Sequence, residues 1–526
     1  MDRTCALRAD RDLRDGGLIL DRRPMAGGQQ DRQRGQSDPG RSLHWVVSMR
    51  RGSQGLRIRP RFSMANSPDH AAPAISPAGA HVDTPPGRPI LGKTKSGETL
   101  MPEPAMRAEA DRHISIDAVR GFAVLGILLM NIVGMGLPAF AYVDPTYAGG
   151  STGADLWTWA VNNVLTDGKM RALFTMLFGA SAVLIAERAE GGRPGPMATH
   201  YRRMFWLFVI GMIHAYFLWW GDILVTYALA GLVIFPFRNL SVRSQLGIGV
   251  AVLAALLGLN LFEAHELTLL HAAAIAPGAT PDAIKAWQEA SQLVAPSADL
   301  GRQEIAGYRG GFLDAFRVRS LAARLIQLYL MPTSEIPEAI GQMFVGMALF
   351  RSGFFTLRWS SRGYVAMIAV GYLMAVPVTA WIAWRIWKAG FEPLTLNRLE
   401  DWQQVTRPLI GLAHASVVLL LVRAGAAQAA VNRLAAAGRM AFSNYLMTSI
   451  ITTLVFCGFG LGLYGQLSRF HELAVVAGVW VFILAWSKPW LARFHYGPFE
   501  WAWRSLVRWS PQPFVRARPQ PAAAAT

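Results

Sequence analysis

About ten apolar stretches follow a polar N-terminal region, and their length predicts a bundle of transmembrane helices. A helix needs about 20 mainly apolar residues to cross the hydrocarbon core of a bilayer, within a range of roughly 17 to 25. Several stretches lie near the short end of this range, so we expect about ten spans, give or take one or two. The predicted spans are residues 119–137, 170–186, 204–220, 223–237, 246–262, 336–350, 364–384, 408–422, 440–461 and 473–486. The pattern therefore predicts an all-α, polytopic fold.

Basic residues in every second connection predict how the spans are oriented. Short loops rich in Lys and Arg stay on the cytoplasmic side of a membrane. Basic residues precede the first span, whereas the next connection, 139–168, carries Asp but neither Lys nor Arg. This alternation places both termini in the cytoplasm and makes 263–324 an external loop. Segment 385–407 is also placed outside although it carries Arg and Lys, which is the weakest point of the alternation.

Composition and charge favour a lipid partner over nucleic acid. Hydrophobic residues make up 52% of the chain and charged residues only 16%, whereas a soluble domain carries about 25% charge. The formal net charge is +17. Much of it lies in the N-terminal region and in short loops, where it fits the orientation of spans in a bilayer. Cys5 and Cys457 form neither a disulfide framework nor a metal-ligand cluster, so no metal site is predicted.

The two ends of the chain are expected to lie outside the membrane domain. Residues 1–111 are rich in Arg, Asp, Gly, Pro, Ser and Gln, and such a segment cannot bury enough surface to offset its ordering entropy. We expect a disordered arm there, a membrane domain over 112–510 and a disordered tail over 511–526. Translation from Met64, Met101 or Met106 would make the arm an extension of the gene model.

Arg120 and Asn131 form the first pair of polar residues within the spans. Eleven helical steps bring Asn131 back to the angle of Arg120, roughly 16 Å further along the helix. Asp117 is three residues before Arg120 and is therefore its neighbour on the helix surface. In the alternative interpretation the Arg reaches to the interface and the Asn bonds a neighbouring helix.

Arg203 and His214 repeat this spacing in the third span, and Asp222 follows near its predicted outer end. A buried His suits proton transfer near neutral pH, while a basic inner mouth suits a ligand with phosphates. Together the two helices suggest acyl transfer from a phosphate-bearing donor inside to an acceptor outside. A structural His bonded across the bundle stays an open alternative. His414, in the eighth span, is a weaker candidate for the same cavity.

Several segments together resemble the YeiB-like family of bacterial membrane proteins, which carry the domain of unknown function number 418. The resemblance covers about residues 112–510 in the right order, and it implies a bacterial inner-membrane protein. The family is in turn similar to transmembrane acyltransferases, including the acyltransferase-3 proteins that modify surface polysaccharides and the lysosomal heparan glucosaminide acetyltransferase. The segments are 117–121 with Asn131, 167–179, 202–203 with His214, 221–227, 438–445 and 497–501.

The wider group implies roles for two of these residues. In the acyltransferase-3 pattern, a basic residue and a His separated by ten residues are functional, and Arg203 and His214 match that spacing. The pattern also has a His in the first span after an Arg-Gly pair, and Asn131 stands there in this chain. Asn131 can orient an acceptor or help to stabilise an oxyanion, but it cannot be a general base, so the second catalytic group is in doubt.

The resulting expectation is a membrane acyltransferase that uses acyl-CoA, with acetyl-CoA as the first candidate donor. The phosphates would lie near Arg120 and Arg203. His214 would act as general base on a hydroxyl or amine of a saccharide or lipid-linked acceptor, with Asp222 orienting it. Two alternatives fit the same pattern: a transporter or flippase for a small or lipid-linked solute, and a non-catalytic envelope protein. The sequence has no Walker A loop, HExxH or nucleotide fingerprint, which disfavours an ATP-driven pump.

Overall fold

The computed structural model describes residues 92–93, 99–100, 103–190 and 195–516, and it describes side chains from residue 114 onward except at 191–194, 292–294 and 517–526. These residues belong to one unit, Gly87–Thr526. Most of the expected N-terminal arm and the last ten residues of the expected tail lie outside the described residues.

Helices account for most of the described chain, which confirms the all-α prediction. Short 3-10 turns cover Ala139–Tyr142 and Phe235–Phe237, π-helical stretches cover Ile326–Glu335 and Val370–Ala375, and two-residue strands pair Gly92–Lys93 with Thr99–Leu100. The α-helices are α1 (Glu103–Gly136), α2 (Gly153–Leu165), α3 (Lys169–Ala189), α4 (Pro196–Phe217), α5 (Leu224–Ile234), α6 (Val242–Ile275), α7 (Pro281–Val294), α8 (Ala298–Arg309), α9 (Phe312–Leu325), α10 (Ile336–Ser352), α11 (Ser361–Ala369), α12 (Val376–Lys388), α13 (Pro393–Glu400), α14 (Gln403–Ala424), α15 (Gln428–Arg439), α16 (Ala441–Phe456), α17 (Arg469–Arg493) and α18 (Pro498–Arg508).

The spans predicted from hydropathy fall on helices. Because several of these helices are long and apolar, the chain is a multi-pass membrane protein. Six helical stretches of the described chain are long and apolar enough to cross a bilayer. Two shorter apolar helices, Leu224–Phe237 and Ala441–Phe456, coincide with further predicted spans. The long stretches are Ile114–Gly136, Gly153–Ala189, Val242–Ile275, Ser361–Lys388, Gln403–Ala424 and Arg469–Arg493.

The structure differs from the sequence-based boundaries at α2 and at the start of α1. Residues 153–165 were expected in a loop, but they form α2, because the apolar residues around Trp159 pack against Ile382, Ile386 and Phe391. The first helix begins at Glu103, within the stretch expected to be an arm.

Helix α1 is the central helix of the bundle. Its most apolar stretch is 83% buried inside the protein, whereas the corresponding stretch of α6 is only 17% buried. Helix α1 packs against α3, α14, α15, α16 and α17. Polar side chains on α1 therefore face other helices, whereas α6 presents most of its surface to lipid.

Two glycines of the sequence motifs allow α1 and α15 to approach very closely. A Cβ at Gly121 would collide with the carbonyl oxygen of Leu434, and a Cβ at Gly438 would collide with that of Asp117. Small residues at such a contact let helix backbones pack without intervening side chains. These two motif positions therefore have a packing role.

The connections predicted to be external meet at one end of the bundle, which we call the outer end. The Glu304 carboxylate in α8 accepts from the backbone N–H of Ala139 at 3.1 Å and from the Tyr464 hydroxyl at 2.8 Å. Segment 263–324 is not a loop but the end of α6 followed by α7, α8 and α9. Burial raises the pKa of Glu304, while the hydrogen bond from Tyr464 opposes this shift. The opposite end is called the inner end, and its cytoplasmic placement remains a prediction from the loop charges.

Candidate functional site

His214 and Asp222 meet where α4 ends and α5 begins. The Nδ1 atom of His214 lies 2.8 Å from Oδ1 of Asp222, and each side chain is only 1% exposed. The contact is close but poorly aligned for a hydrogen bond, and such bonds commonly tighten only when a substrate binds. The other oxygen of Asp222 accepts from the backbone N–H of Val225 at 2.8 Å. The N-terminus of α5 therefore fixes and stabilises this carboxylate.

Ser449 in α16 completes a hydrogen-bonded chain that sequence reasoning missed. Its hydroxyl lies 2.8 Å from Nε2 of His214, on the opposite side of the imidazole from Asp222. If Nδ1 carries its proton toward Asp222, Nε2 can accept the proton of Ser449. The available sequence signal was an unusual concentration of hydroxyls in one apolar helix. They are Thr448, Ser449, Thr452 and Thr453.

Close packing of α4, α5 and α16 holds His214, Asp222 and Ser449 together, and we call these three residues the His214 cluster. The ring of Tyr445, one turn before Ser449, lies 5.0 Å from the His214 ring between centroids. Gly211 lies one turn before His214, and a Cβ there would come within 2.8 Å of the Val225 nitrogen. A larger residue at position 211 would push α4 away from α5 and separate His214 from Asp222.

Asn131 lies on the face of α1 that packs against α16. It is one turn before Met135, whose sulfur accepts from the Thr452 hydroxyl at 3.2 Å. Its side chain is buried, and within the described chain it makes no hydrogen bond to His214 or Asp222. The structure thus places Asn131 beside the helix of Ser449 but does not connect it to the pair.

Arg120 and Arg203 come together at the inner end with Arg504 of α18. We call these three residues the inner basic cluster. Arg203 lies with its guanidinium 4.1 Å from the centre of the Trp503 ring, and its buried Nε has no hydrogen-bond partner among the described residues. The charges of Arg504 and Arg120 both act on Arg203. Burial lowers the pKa of Arg504, and the charge of Arg120 also contributes.

Arg120 is the most fully paired member of this cluster. Its guanidinium donates to Asp117 at 3.0 Å and to the Ser181 hydroxyl at 3.2 Å. The neighbouring carboxylate therefore compensates part of its charge. The surplus positive charge of the cluster belongs mainly to the Arg203 and Arg504 side.

Glu500 ties α18 to the start of α16. Its carboxylate accepts from the backbone N–H groups of Phe442 at 2.8 Å and Ser443 at 3.0 Å, and from the Ser443 hydroxyl. It thus caps the N-terminus of α16 from a distant part of the chain. Burial raises the pKa of Glu500, although the hydrogen bonds from Ser443 and Phe442 lower it. The same α18 segment therefore positions the helix of Ser449 and supplies Arg504.

A second polar region, the outer cavity, lies between α3, α6, α10 and α14. Its volume is about 130 Å³. Arg171 pairs with Glu338 across it at 2.8 Å. The Oε1 atom of Gln404 and the Nε atom of Arg407 are buried, and neither has a hydrogen-bond partner in the part of the chain that the structure describes. The lining residues are Arg171, Leu256, Asn260, Ser334, Glu335, Glu338, Asp401, Gln404 and Arg407.

Glu335 lines the outer cavity and also contacts α5 close to Asp222. Its carboxylate accepts from the Thr226 hydroxyl at 3.0 Å, and Thr226 lies one turn after Asp222. The charges of Glu335 and Asp222 also act on each other. Glu335 ends the π-helical stretch that begins at Ile326, a type of local widening that is frequent at functional sites. Sequence reasoning missed this cavity, although Arg407 lies in the segment that broke the charge alternation.

One further sequence-based candidate, His414, lies elsewhere in the bundle. His414 bonds the Tyr372 hydroxyl at 2.6 Å and the Leu165 carbonyl at 2.9 Å, so it does not join His214. Within the described residues, no group of three or more His, Cys, Asp or Glu side chains could hold a metal ion.

Comparisons with known proteins match most of the chain. The family described as "Protein of unknown function (DUF418)" matches residues 349–510, which include Ser449 and Glu500 but not His214. The chain is 31% identical over 404 residues to uncharacterized protein YeiB of Escherichia coli (strain K12), covering 76% of this chain and 96% of that protein. It is 26% identical to uncharacterized protein YxaH of Bacillus subtilis (strain 168), covering 76% and 95%. No solved structure matches the chain.

Proposed function

Because the chain belongs to the YeiB-like DUF418 family of membrane proteins, we propose from its buried polar cluster that it is a membrane acyltransferase. It moves an acyl group, acetyl in the first place, from cytosolic acyl-CoA to a hydroxyl or amine acceptor on the outer side. The observation that carries this proposal is His214, held between the Asp222 carboxylate and the Ser449 hydroxyl at 2.8 Å on each side. An imidazole between a carboxylate and a hydroxyl is the arrangement used for acyl transfer in several unrelated folds.

The donor enters from the inner end, where the inner basic cluster binds its phosphates. Guanidinium groups recognise phosphate through paired, charge-assisted hydrogen bonds. Arg203 and His214 lie on one face of α4, roughly 16 Å apart along the helix. The extended pantetheine chain of CoA is of this order of length, so the thioester can approach His214 while the phosphates stay at the cluster.

His214 acts as the general base that removes the proton from the attacking hydroxyl or amine. A positioned base typically contributes a factor of about 10²–10⁴ to the rate. Asp222 orients the imidazole and stabilises its positive charge when the proton arrives. The thioester carbon–sulfur bond breaks as the new ester or amide forms, and the CoA thiolate that leaves takes up the proton from His214.

The acceptor enters from the outer end through the outer cavity. Its lining offers carboxylates, two amides, a hydroxyl and two arginines, which together bind groups that both donate and accept hydrogen bonds. Sugar hydroxyls have this property. A cavity of about 130 Å³ is close in size to one that holds a single six-membered ring. These features support a saccharide as the acceptor.

The decisive experiment compares His214→Ala with His414→Ala in purified full-length protein reconstituted into liposomes. Radioactive acetyl-CoA is supplied on the inner-end side, and transfer to envelope saccharides is followed on the other. We expect His214→Ala to abolish transfer, while His414→Ala, a buried His outside the cluster, retains it. Undiminished transfer by His214→Ala at equal protein amount would contradict the assignment of His214 as the general base.

Solute transport is the second candidate, and the outer cavity is the observation that favours it. Charged and amide side chains inside a membrane domain are also typical of substrate pathways. Uptake of a labelled saccharide into the same liposomes without acyl-CoA would support transport. Transfer that requires acyl-CoA, with no uptake, would exclude it.

A further inference from the structure

We propose that Ser449 is a nucleophile that carries the acyl group as a covalent ester between donor and acceptor. This inference rests on the proposed acyltransferase function and specifies its route. It predicts a two-step reaction in place of direct transfer from acyl-CoA to the acceptor. Activation by an adjacent base is what a serine hydroxyl needs to become an effective nucleophile.

The hydroxyl of Ser449 lies closer to His214 than to the Tyr445 carbonyl of its own helix. A serine or threonine in a helix usually bonds the carbonyl one turn earlier, and the neighbouring Thr448 does so at 2.8 Å. Buried Ser416 in α14 makes the same bond, also at 2.8 Å. In Ser449 this distance is 3.4 Å, whereas the distance to Nε2 of His214 is 2.8 Å. The preferred partner of Ser449 is therefore the imidazole.

The position of Ser449 along α16 suits a carrier between the two ends. Its helix starts at the Glu500 cap, beside the segment that holds Arg504. Ser449 lies six residues after Ser443, which corresponds to roughly 9 Å along the helix. A donor bound by the inner basic cluster thus reaches Ser449 from the inner side. An acceptor in the outer cavity reaches Ser449 and His214 from the outer side. A covalent intermediate removes the need for both substrates to be bound together.

In the first step, the oxygen of Ser449 attacks the thioester carbonyl and gives its proton to Nε2 of His214. The carbon–sulfur bond breaks, and the CoA thiolate takes the proton from His214. In the second step, the acceptor hydroxyl or amine attacks the serine ester and gives its proton to His214. The ester bond to Ser449 breaks, and the serine oxygen recovers the proton. Asp222 keeps its negative charge throughout, and no other reactant is required.

The test is to trap the acyl-enzyme. Full-length protein in liposomes is incubated with radioactive acetyl-CoA without acceptor, denatured, and analysed by peptide mass spectrometry. We expect label on the peptide of Ser449, released by hydroxylamine as an ester. Ser449→Ala should lose label and transfer, whereas Ser416→Ala should keep both, because the Ser416 hydroxyl donates to the Leu412 carbonyl of its own helix. Ser449→Cys should be labelled as a thioester, which shows that the site is intact when the oxygen is replaced.

The outcomes separate this inference from the proposed function. Transfer that proceeds without label on Ser449, or that persists in Ser449→Ala, would overturn the covalent route and leave the acyltransferase standing. Absence of both label and transfer in the wild-type protein would overturn the acyltransferase itself. If Ser449→Ala does not accumulate, the labelled position in the wild-type protein decides.

Discussion

The inner basic cluster and the outer cavity both contain arginines, but they balance the charge differently. At the inner end, Arg203 has an unpartnered Nε and two further arginines act on it. In the outer cavity, Arg171 is paired with Glu338, and further carboxylates lie beside Arg407. Surplus positive charge selects an anion, whereas balanced charge with unpaired amide and guanidinium atoms selects a neutral polar group. The two regions therefore differ in how far their arginines are paired with carboxylates.

The largest expected effect lies between the two regions, at Asp222. Asp222→Asn should lower the transfer rate by about 10³–10⁴, because an amide cannot stabilise the imidazolium and favours the wrong tautomer of His214. The Michaelis constants for acyl-CoA and acceptor should change little. Initial rates at varied concentrations of both substrates provide the measurement. A loss of less than tenfold would contradict the role of Asp222.

The inner basic cluster should control only the donor. Arg203→Gln should raise the Michaelis constant for acyl-CoA by roughly 10- to 100-fold, the equivalent of one lost charged hydrogen bond of about 1.5–3 kcal/mol. The constant for the acceptor should stay the same. Arg351→Gln is a matched control, because Arg351 lies at the inner end but bonds the carbonyl of Arg238. An equal effect of both variants would remove the distinction between the two regions.

The outer cavity should control only the acceptor, with a smaller effect. Gln404→Leu removes the buried amide oxygen that has no partner among the described residues. It should raise the acceptor constant by about 2- to 10-fold, because one neutral hydrogen bond contributes roughly 0.5–1.5 kcal/mol. The constant for acyl-CoA should not change. The comparison fails if this variant weakens the donor and spares the acceptor.

The smallest effect concerns stability and its pH dependence at Glu500. Glu500→Ala should lower the free energy of unfolding by about 1 kcal/mol through loss of the cap on α16. Burial raises the pKa of Glu500, so the folded protein holds this proton more tightly than the unfolded chain. Stability from this group is therefore present at low pH and lost as pH rises from the usual carboxyl range through the folded pKa. Thermal unfolding of the wild type and Glu500→Gln should differ in this slope, which the uncharged variant lacks.

Local periodicity explains which parts of the site could be predicted from sequence. Two residues eleven positions apart must share a helix face, so Arg203 and His214 were identifiable as a pair. Asp222 is close enough in sequence to reach His214 across one turn of chain. Predicting these two relationships needs no knowledge of how distant helices pack.

The remaining parts depend on tertiary packing. Ser449 is 235 residues away from His214, and nothing local in α16 distinguishes its hydroxyl from that of Thr448. Likewise, in the sequence Arg407 is an exception to the alternation of loop charges. Only the packing of α14 against α3 places it in a cavity. Asn131 was singled out correctly as buried, but its role as a site residue stays a prediction.

The cap formed by Glu500 has a consequence for where the functional unit ends. A chain cut after Arg493 would retain all the predicted spans and could still insert into a bilayer. It would nevertheless lose the carboxylate that anchors α16, the indole that covers Arg203 and the guanidinium of Arg504. The proposed functional unit therefore extends beyond the last hydrophobic segment and includes the short helix α18.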